Sequence, residues 1–240
     1  METLRSAIFT CILFFSTTVF SLLVTAARAV SYHVAFRVAV IWAKLMIWLG
    51  TFLCGLSYTV VGRENLPAES AVVLMKHSSA YETIVQIIVF PPQCWVLKRE
   101  LLLVPFFGWG LAACQPIALN RKAGRNAVNQ VIRAGKKRLA QGRWVIIFPE
   151  GTRMAAGETR RYGISGVLLA QAAGKLIVPV AHNAGDFWPR RGWIKRAGTV
   201  RFAIGPPVDP VGRQPREVND EIQAWIEAKV AELRGEEGII

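Results

Sequence analysis

The longest run without a charge does most to limit how this chain folds. Residues from Ala7 to Ala27 include no Asp, Glu, Lys or Arg, and they carry Ile8, Phe9, Ile12, Leu13, Phe14, Phe15, Val19, Phe20, Leu22, Leu23 and Val24. An uncharged run of about 20 residues can satisfy its backbone inside hydrocarbon only as a helix. A second apolar stretch runs from Val38 to Leu56, with Lys44 as its one charge. Arg28, His33 and Arg37 lie between or beside the two stretches.

Three arrangements compete. Arg5, the apolar run and Ala27-Arg28-Ala29 have the order of a cleaved signal peptide, but the run is long for a signal core and a second apolar stretch follows at once. A plain two-span hairpin leaves Arg28 and Arg37 on the far side, against the positive-inside tendency. Two helices lying partly in one leaflet, with Lys44 and the tryptophans at the interface, suit the charges better. The sequence divides into apolar membrane-associating helices over 1–57 and an α/β domain over 58–240.

Of 240 residues, 29 are Lys or Arg against 16 Asp or Glu, for a net charge of +13. Such an excess calls for an anionic partner. The cations are interleaved with apolar residues and Trp, which points to phospholipid rather than nucleic acid, and no zinc-finger spacing or basic heptad region is present. Trp188, Trp193, Arg190, Arg191, Lys195 and Arg196 read either as a surface for anionic lipid or as a solvated basic loop. The cysteines, Cys11, Cys54, Cys94 and Cys114, form no CxxC pair and read as free thiols, with no metal site expected.

After residue 57 short apolar runs alternate with helical patterns. Tyr58–Val61, Ala71–Met75, Cys94–Leu97, Pro116–Leu119, Trp144–Phe148, Leu176–Val180 and Thr199–Ile204 read as strands. Ser79–Phe90, Ala127–Ala140, Gly166–Ala173 and Glu217–Leu233 read as helices. The alternation predicts a mostly parallel central sheet flanked by helices. Several strands end in reactive or charged residues: His77, Lys98, Arg121, and Glu150 to Arg153. In an open α/β sheet the carboxyl ends of parallel strands share one edge, where ligands bind. These groups are therefore expected to meet in one cleft.

His77 and Glu82 are a candidate base and orienting acid. On a continuous helix their spacing rotates the side chains about 140° apart. Ser79-Ala80-Tyr81-Glu82 has the S-x-x-E form of a capping box, which puts His77 in the turn before the helix and lets it reach Glu82. The alternative is a Glu82 that only caps the helix. Phe148-Pro149-Glu150-Gly151-Thr152-Arg153 suits an oxyanion, through backbone N–H groups and a guanidinium, or else is an ordinary solvated turn. No Walker lysine pattern accompanies it. A serine hydrolase is disfavoured, because Gly163-Ile164-Ser165-Gly166-Val167 lacks the second glycine of G-x-S-x-G.

Taken in order, these blocks resemble the lysophospholipid acyltransferase family, on the branch that acts on 1-acylglycerol-3-phosphate. The H-x4-D block is His77 to Glu82, and the second block runs from Pro105-Phe106-Phe107-Gly108 to Asn120-Arg121. F-P-E-G-T-R is complete, and Val178-Pro179-Val180 follows it. Glu82 stands where the family has aspartate, and Lys76 where asparagine is common.

The resemblance implies transfer of an acyl chain from acyl-CoA or acyl-carrier protein to the sn-2 hydroxyl of lysophosphatidate, with His77 as base and Glu82 behind it. It implies Arg121 and Arg153 at the acceptor phosphate, with Lys98 as a further candidate there, Glu150 and Gly151 around the glycerol, and Thr152 among the substrate-binding residues. No cofactor is required. The implied location is the cytoplasmic face of a bacterial inner membrane. The alternatives are another lysolipid or glycerol-3-phosphate as acceptor, a membrane-bound lipid hydrolase, and a non-catalytic lipid-binding protein.

Overall fold

The computed structural model describes residues 1–120 and 125–235. Two long helices come first, α1 (Glu2–Ala27) and α2 (Tyr32–Cys54). The Ser31 hydroxyl caps α2 by accepting from the Val34 N–H, and Gly55 ends it in the left-handed conformation. Then follow β1 (Leu56–Val61), β2 (Val72–Met75), α3 (Tyr81–Val89), β3 (Gln93–Lys98), α4 (Phe107–Ala113), β4 (Ile117–Leu119) and α5 (Arg125–Ala140). The chain closes with β5 (Trp144–Ile147), α6 (Ser165–Ala173), β6 (Ile177–His182), α7 (Ala184–Phe187), β7 (Gly198–Ile204) and α8 (Pro215–Gly235).

The strands form one sheet in the order β1-β7-β6-β2-β5-β3-β4. From β6 to β4 all neighbours are parallel, as the βα alternation requires. The β6–β7 pair is antiparallel, and β1 runs with β7. The mostly parallel sheet is as expected; the reversal at one end is not written in the local pattern. The central strands β2, β5 and β6 are buried at every position, which is why they read as unbroken apolar runs. Pro179 is tolerated inside β6 because its carbonyl side faces the point where β7 ends, accepting from the Gly205 N–H.

Successive strand residues feed opposite faces of the sheet. Val73, Met75, Ile146, Val178 and Val180 join α1, α2 and α3 in one apolar cluster. Val72, Leu74, Val145, Ile147 and Ile177 join α5, α6 and α8 in the other. The first cluster includes Phe9, Phe36, Ala43 and Met46, so the apolar core runs across the change of pattern at residue 57. Polar ties reinforce it. Tyr32 Oη donates to the Gln93 carbonyl, and the Lys195 N–H donates to Ser6 Oγ. The far side of the helix pair stays bare: Phe14, Phe15 and Phe52 are each at least 70% exposed.

Two residues expected on the lipid-facing basic surface turn inward instead. Trp188 packs edge-on against Phe9, and Lys195 is buried, with Nζ donating to Thr10 Oγ1 and the Trp193 carbonyl. The first helix covers them, a contact between residues far apart in sequence. Trp193, Arg190, Arg191 and Arg196 remain exposed.

Candidate active site

β2 delivers His77 to the carboxyl edge of the sheet, between the ends of β5 and β6. Helix α3 starts at Tyr81 rather than Ser79, with Ala80 at the cap position. The expected capping box is half formed. Glu82 Oε1 accepts from the Ser79 N–H at 2.9 Å, but the Ser79 hydroxyl accepts from the Tyr81 N–H, making a tighter turn instead of a cap on Glu82. That tighter turn folds His77 back over the start of the helix. His77 Nδ1 then meets Glu82 Oε1 at 2.8 Å, and the Ser78 N–H reaches the same oxygen at 3.1 Å. One carboxylate oxygen therefore both ties the turn and holds the histidine.

Glu82 is fully buried. Burial pushes its carboxyl up, but the His77 hydrogen bond, the nearby His182 and the Ser79 N–H outweigh it and hold it below the usual range. An ionised Glu82 can only accept, so Nδ1 carries the His77 proton and the Nε2 lone pair is free. Among the described residues Nε2 has no partner. The imidazole lies on Phe148 with centroids 4.0 Å apart, and 15% of its side chain reaches solvent. A fixed tautomer, a fixed plane and an open Nε2 are what a general base needs.

The F-P-E-G-T-R loop braces this group from below. Gly151 adopts a left-handed turn (φ 70°), its N–H bonding to the Phe148 carbonyl. The turn sends Glu150 inward, not toward a substrate pocket. Glu150 Oε2 accepts from the His77 N–H at 2.7 Å, and Oε1 pairs with Lys76 Nζ at 2.8 Å. The Met154 N–H donates to the His77 carbonyl at 2.7 Å. Both backbone groups of His77 are thus fixed by one loop.

Lys76 is itself buried. Besides Glu150 it contacts both Glu227 oxygens, at 2.9 and 3.0 Å, and donates to the Glu158 carbonyl at 2.8 Å. Glu227 lies on α8 and also accepts from Tyr162 Oη and Thr159 Oγ1. Burial pushes Glu150 up to about 7, against the pull of Lys76 and the His77 N–H. The lysine at 76 is therefore the hub that locks the C-terminal helix under the histidine turn.

Sequence reasoning missed His182. It ends β6, the strand beside β2, and is buried. Its Nδ1 accepts from the Ala184 N–H, so Nε2 donates to the Lys76 carbonyl at 2.8 Å. Burial lowers its basicity, against the pull of Glu82 and the Lys76 carbonyl. The signal was available, since a histidine at a parallel strand's carboxyl end is the same cue that singled out His77.

The remaining expected residues scatter. Arg153 and Thr152 are half-buried beside the histidine turn, and the Arg153 guanidinium has no partner among the described residues. Lys98 ends β3 on the same edge, two strands from β2, with its side chain exposed. Arg121 lies outside the described residues. Among the described residues no group of three or more His, Cys, Asp or Glu is placed to hold a metal ion.

This geometry has relatives. The family model described as Acyltransferase matches residues 57–183, which take in His77, Glu82, the F-P-E-G-T-R loop and His182. A Pseudomonas aeruginosa protein called 1-acyl-sn-glycerol-3-phosphate acyltransferase is 43% identical over 195 residues, covering 80% of this chain and 76% of that one. A protein of the same description from Borreliella burgdorferi is 31% identical over 176 residues, covering 72% and 70%. The crystal structure of a 1-acyl-sn-glycerophosphate acyltransferase from Thermotoga maritima shares the fold with a TM-score of 0.79 over 98% of both chains, at 23% identity. A family match across residues 57–183, joined to such identity over most of its length, shows that the chain belongs to the acyltransferase family.

Proposed function

We propose that the chain moves an acyl group from a thioester donor, acyl-CoA or acyl-carrier protein, to the sn-2 hydroxyl of 1-acylglycerol-3-phosphate, giving phosphatidate. The observation that carries this reading is the 2.8 Å His77–Glu82 contact, which leaves Nε2 as the open base. Nε2 takes the hydroxyl proton as the oxygen attacks the thioester carbonyl. The tetrahedral intermediate collapses, the C–S bond breaks, and the imidazolium returns the proton to the departing sulfur. Glu82 stabilises the imidazolium between those events.

The unpaired Arg153 supplies a guanidinium for the acceptor phosphate, with Lys98 on the same sheet edge as a further cation. Gly151 and Thr152 set the turn that places Arg153. Glu150 acts only indirectly, by fixing the His77 backbone. An apolar cavity of about 70 Å³ bounded by Phe20, Trp42, Ile87, Trp95 and Leu111 has room for no more than the tip of an acyl chain. The bare faces of α1 and α2, each long and apolar enough to cross a membrane, support phospholipid as a partner, and the reading sets the reaction at the cytoplasmic face of a bacterial inner membrane.

The test is consumption of labelled acyl-CoA or acyl-carrier protein with and without lysophosphatidate. Turnover that needs the lysolipid is expected. Fatty-acid release without it would instead mark a hydrolase, and no turnover with any acceptor in a panel of lysolipids and glycerol-3-phosphate would leave only lipid binding.

Two substitutions refine the roles. Arg153→Ala raises KM for lysophosphatidate about tenfold, the loss of one charge-assisted contact, with donor KM little changed. The opposite pattern moves the phosphate elsewhere. Glu82→Gln lowers kcat by about a hundredfold, because a neutral amide cannot stabilise the imidazolium, whereas Glu82→Asp keeps the charge and much of the rate. Equal rates in the two variants would reduce Glu82 to a tie for the turn.

A further inference from the structure

A second cavity, this one basic, adjoins the histidine turn, and the proposed chemistry leaves it unused. It measures about 400 Å³, and its walls include Ala155, Ala156 and Gly185 with Arg190, Arg191 and Arg196. It connects with the site through backbone. Ala155 and Ala156 continue the loop that fixes the His77 carbonyl through Met154. Gly185 sits so close to the turn that a Cβ there would lie 2.9 Å from Ser78 Cβ.

Its electrostatics are one-sided. Among the described residues Asp186 is the one carboxylate lining it, and both Asp186 oxygens are taken by Arg234 Nε at 3.1 Å. The guanidiniums of Arg190, Arg191 and Arg196 have no carboxylate or hydrogen-bond partner among the described residues. Three unpaired guanidiniums around a concave space create a strong attraction for a multiply charged anion. The acceptor has a single phosphate, and Arg153 already stands next to His77 for it. The donor has none of its charge accounted for.

We propose that this cavity is a second phosphate-binding site and that it holds the phosphorylated nucleotide end of an acyl-coenzyme A donor. The inference rests on the acyl-transfer reading above and names its donor. Such a donor carries its phosphates at one end of a long flexible arm and its thioester at the other. The phosphates can therefore rest in the cavity while the thioester reaches His77 across the Ser78–Gly185 contact. The volume lies within the range of small-molecule sites, and its concavity suits a nucleotide better than the face of an acidic protein.

The test is the variant R190S/R191S/R196S. All three residues are exposed, so the fold should persist. KM for acyl-CoA should rise at least about tenfold, while KM for lysophosphatidate stays within about twofold. Sedimentation with phosphatidylglycerol vesicles should be unchanged. A rise in lysophosphatidate KM instead would assign the cavity to the acceptor. Lost vesicle binding with unaltered donor KM would assign it to lipid headgroups. Efficient transfer from acyl-carrier protein with none from acyl-CoA would overturn the proposal and leave the acyl-transfer reading intact.

Calorimetric titration with coenzyme A alone needs no turnover and separates the two readings. Binding by the unsubstituted protein that the variant loses supports the site even if no acceptor is turned over. Failure of the unsubstituted protein to bind overturns it.

Discussion

His77→Ala should lower acyl transfer by about three orders of magnitude or more while the protein stays folded. Loss of a positioned general base alone costs about 10²–10⁴ in rate. The fold should tolerate the change, because the imidazole lies at the edge of the core, stacked on one face of Phe148. The backbone of residue 77 is held by Glu150 and Met154, neither of which needs the ring. Glu82 keeps its Ser78 and Ser79 N–H donors, so its buried charge is not stranded. Circular dichroism and thermal unfolding should match the unsubstituted protein. Normal turnover by such a folded variant would remove His77 as the base.

The largest loss of stability is expected from Lys76→Met. Methionine nearly fills the space of the lysine stem but leaves Glu150 and Glu227 without their cation. Breaking a buried ion pair by removing one partner costs about 3–5 kcal/mol. For a chain of this size that lowers Tm by about 10 °C. Activity should fall with it, since Glu150 holds the His77 N–H and Lys76 holds Glu150.

The pH dependence gives a sharper check. Burial already raises the Glu150 carboxyl to about 7, so in the folded protein it binds its proton more tightly than in the unfolded chain. A group raised in this way contributes stability at low pH and loses it as pH climbs through its folded value. Without Lys76 the carboxyl rises further. The deficit of Lys76→Met should therefore be largest above about pH 7 and shrink on acidification, as Glu150 takes up a proton. A Tm deficit independent of pH would mean that lost packing, rather than stranded charge, explains the variant.

The buried lysine also sets a limit on exchange at this position. Lys76 binds Glu227 across 151 residues of sequence, so the residue before His77 and a residue of the last helix act as one unit. Lys76→Asn alone should be nearly as damaging as the methionine change, because a shorter neutral amide cannot reach both carboxylates. Adding Glu227→Gln should recover part of the loss, and thermal unfolding of the single and double variants measures that recovery.

Some of this was legible in the chain. Periodicity located the strands, because a strand buried on both faces must be mostly apolar, as β2, β5 and β6 up to its terminal His182 are. The rule that charged residues follow parallel strands found His77 and the F-P-E-G-T-R loop. It also reached Glu82, because His77 and Glu82 lie in one short turn and their meeting depends on local backbone geometry. Even there the capping detail differed, since the Ser79 hydroxyl bonds to Tyr81 and leaves Glu82 to tie the turn alone.

The sequence by itself determined the secondary elements, the parallel core of the sheet and the meeting of His77 with Glu82, because each depends on neighbours along the chain. Only the tertiary structure decided which way the side chains of distant residues point. It turned Glu150 inward onto Lys76 and His77, brought Glu227 from the last helix to the same lysine, and set His182 behind the turn. It also buried Trp188 and Lys195 under the first helix while leaving Arg190, Arg191 and Arg196 open. The physical reason is that a charged residue at the end of a strand has the same local pattern whether it faces solvent or a partner. Its fate depends on which opposite charge the topology carries beside it, and no local period encodes that.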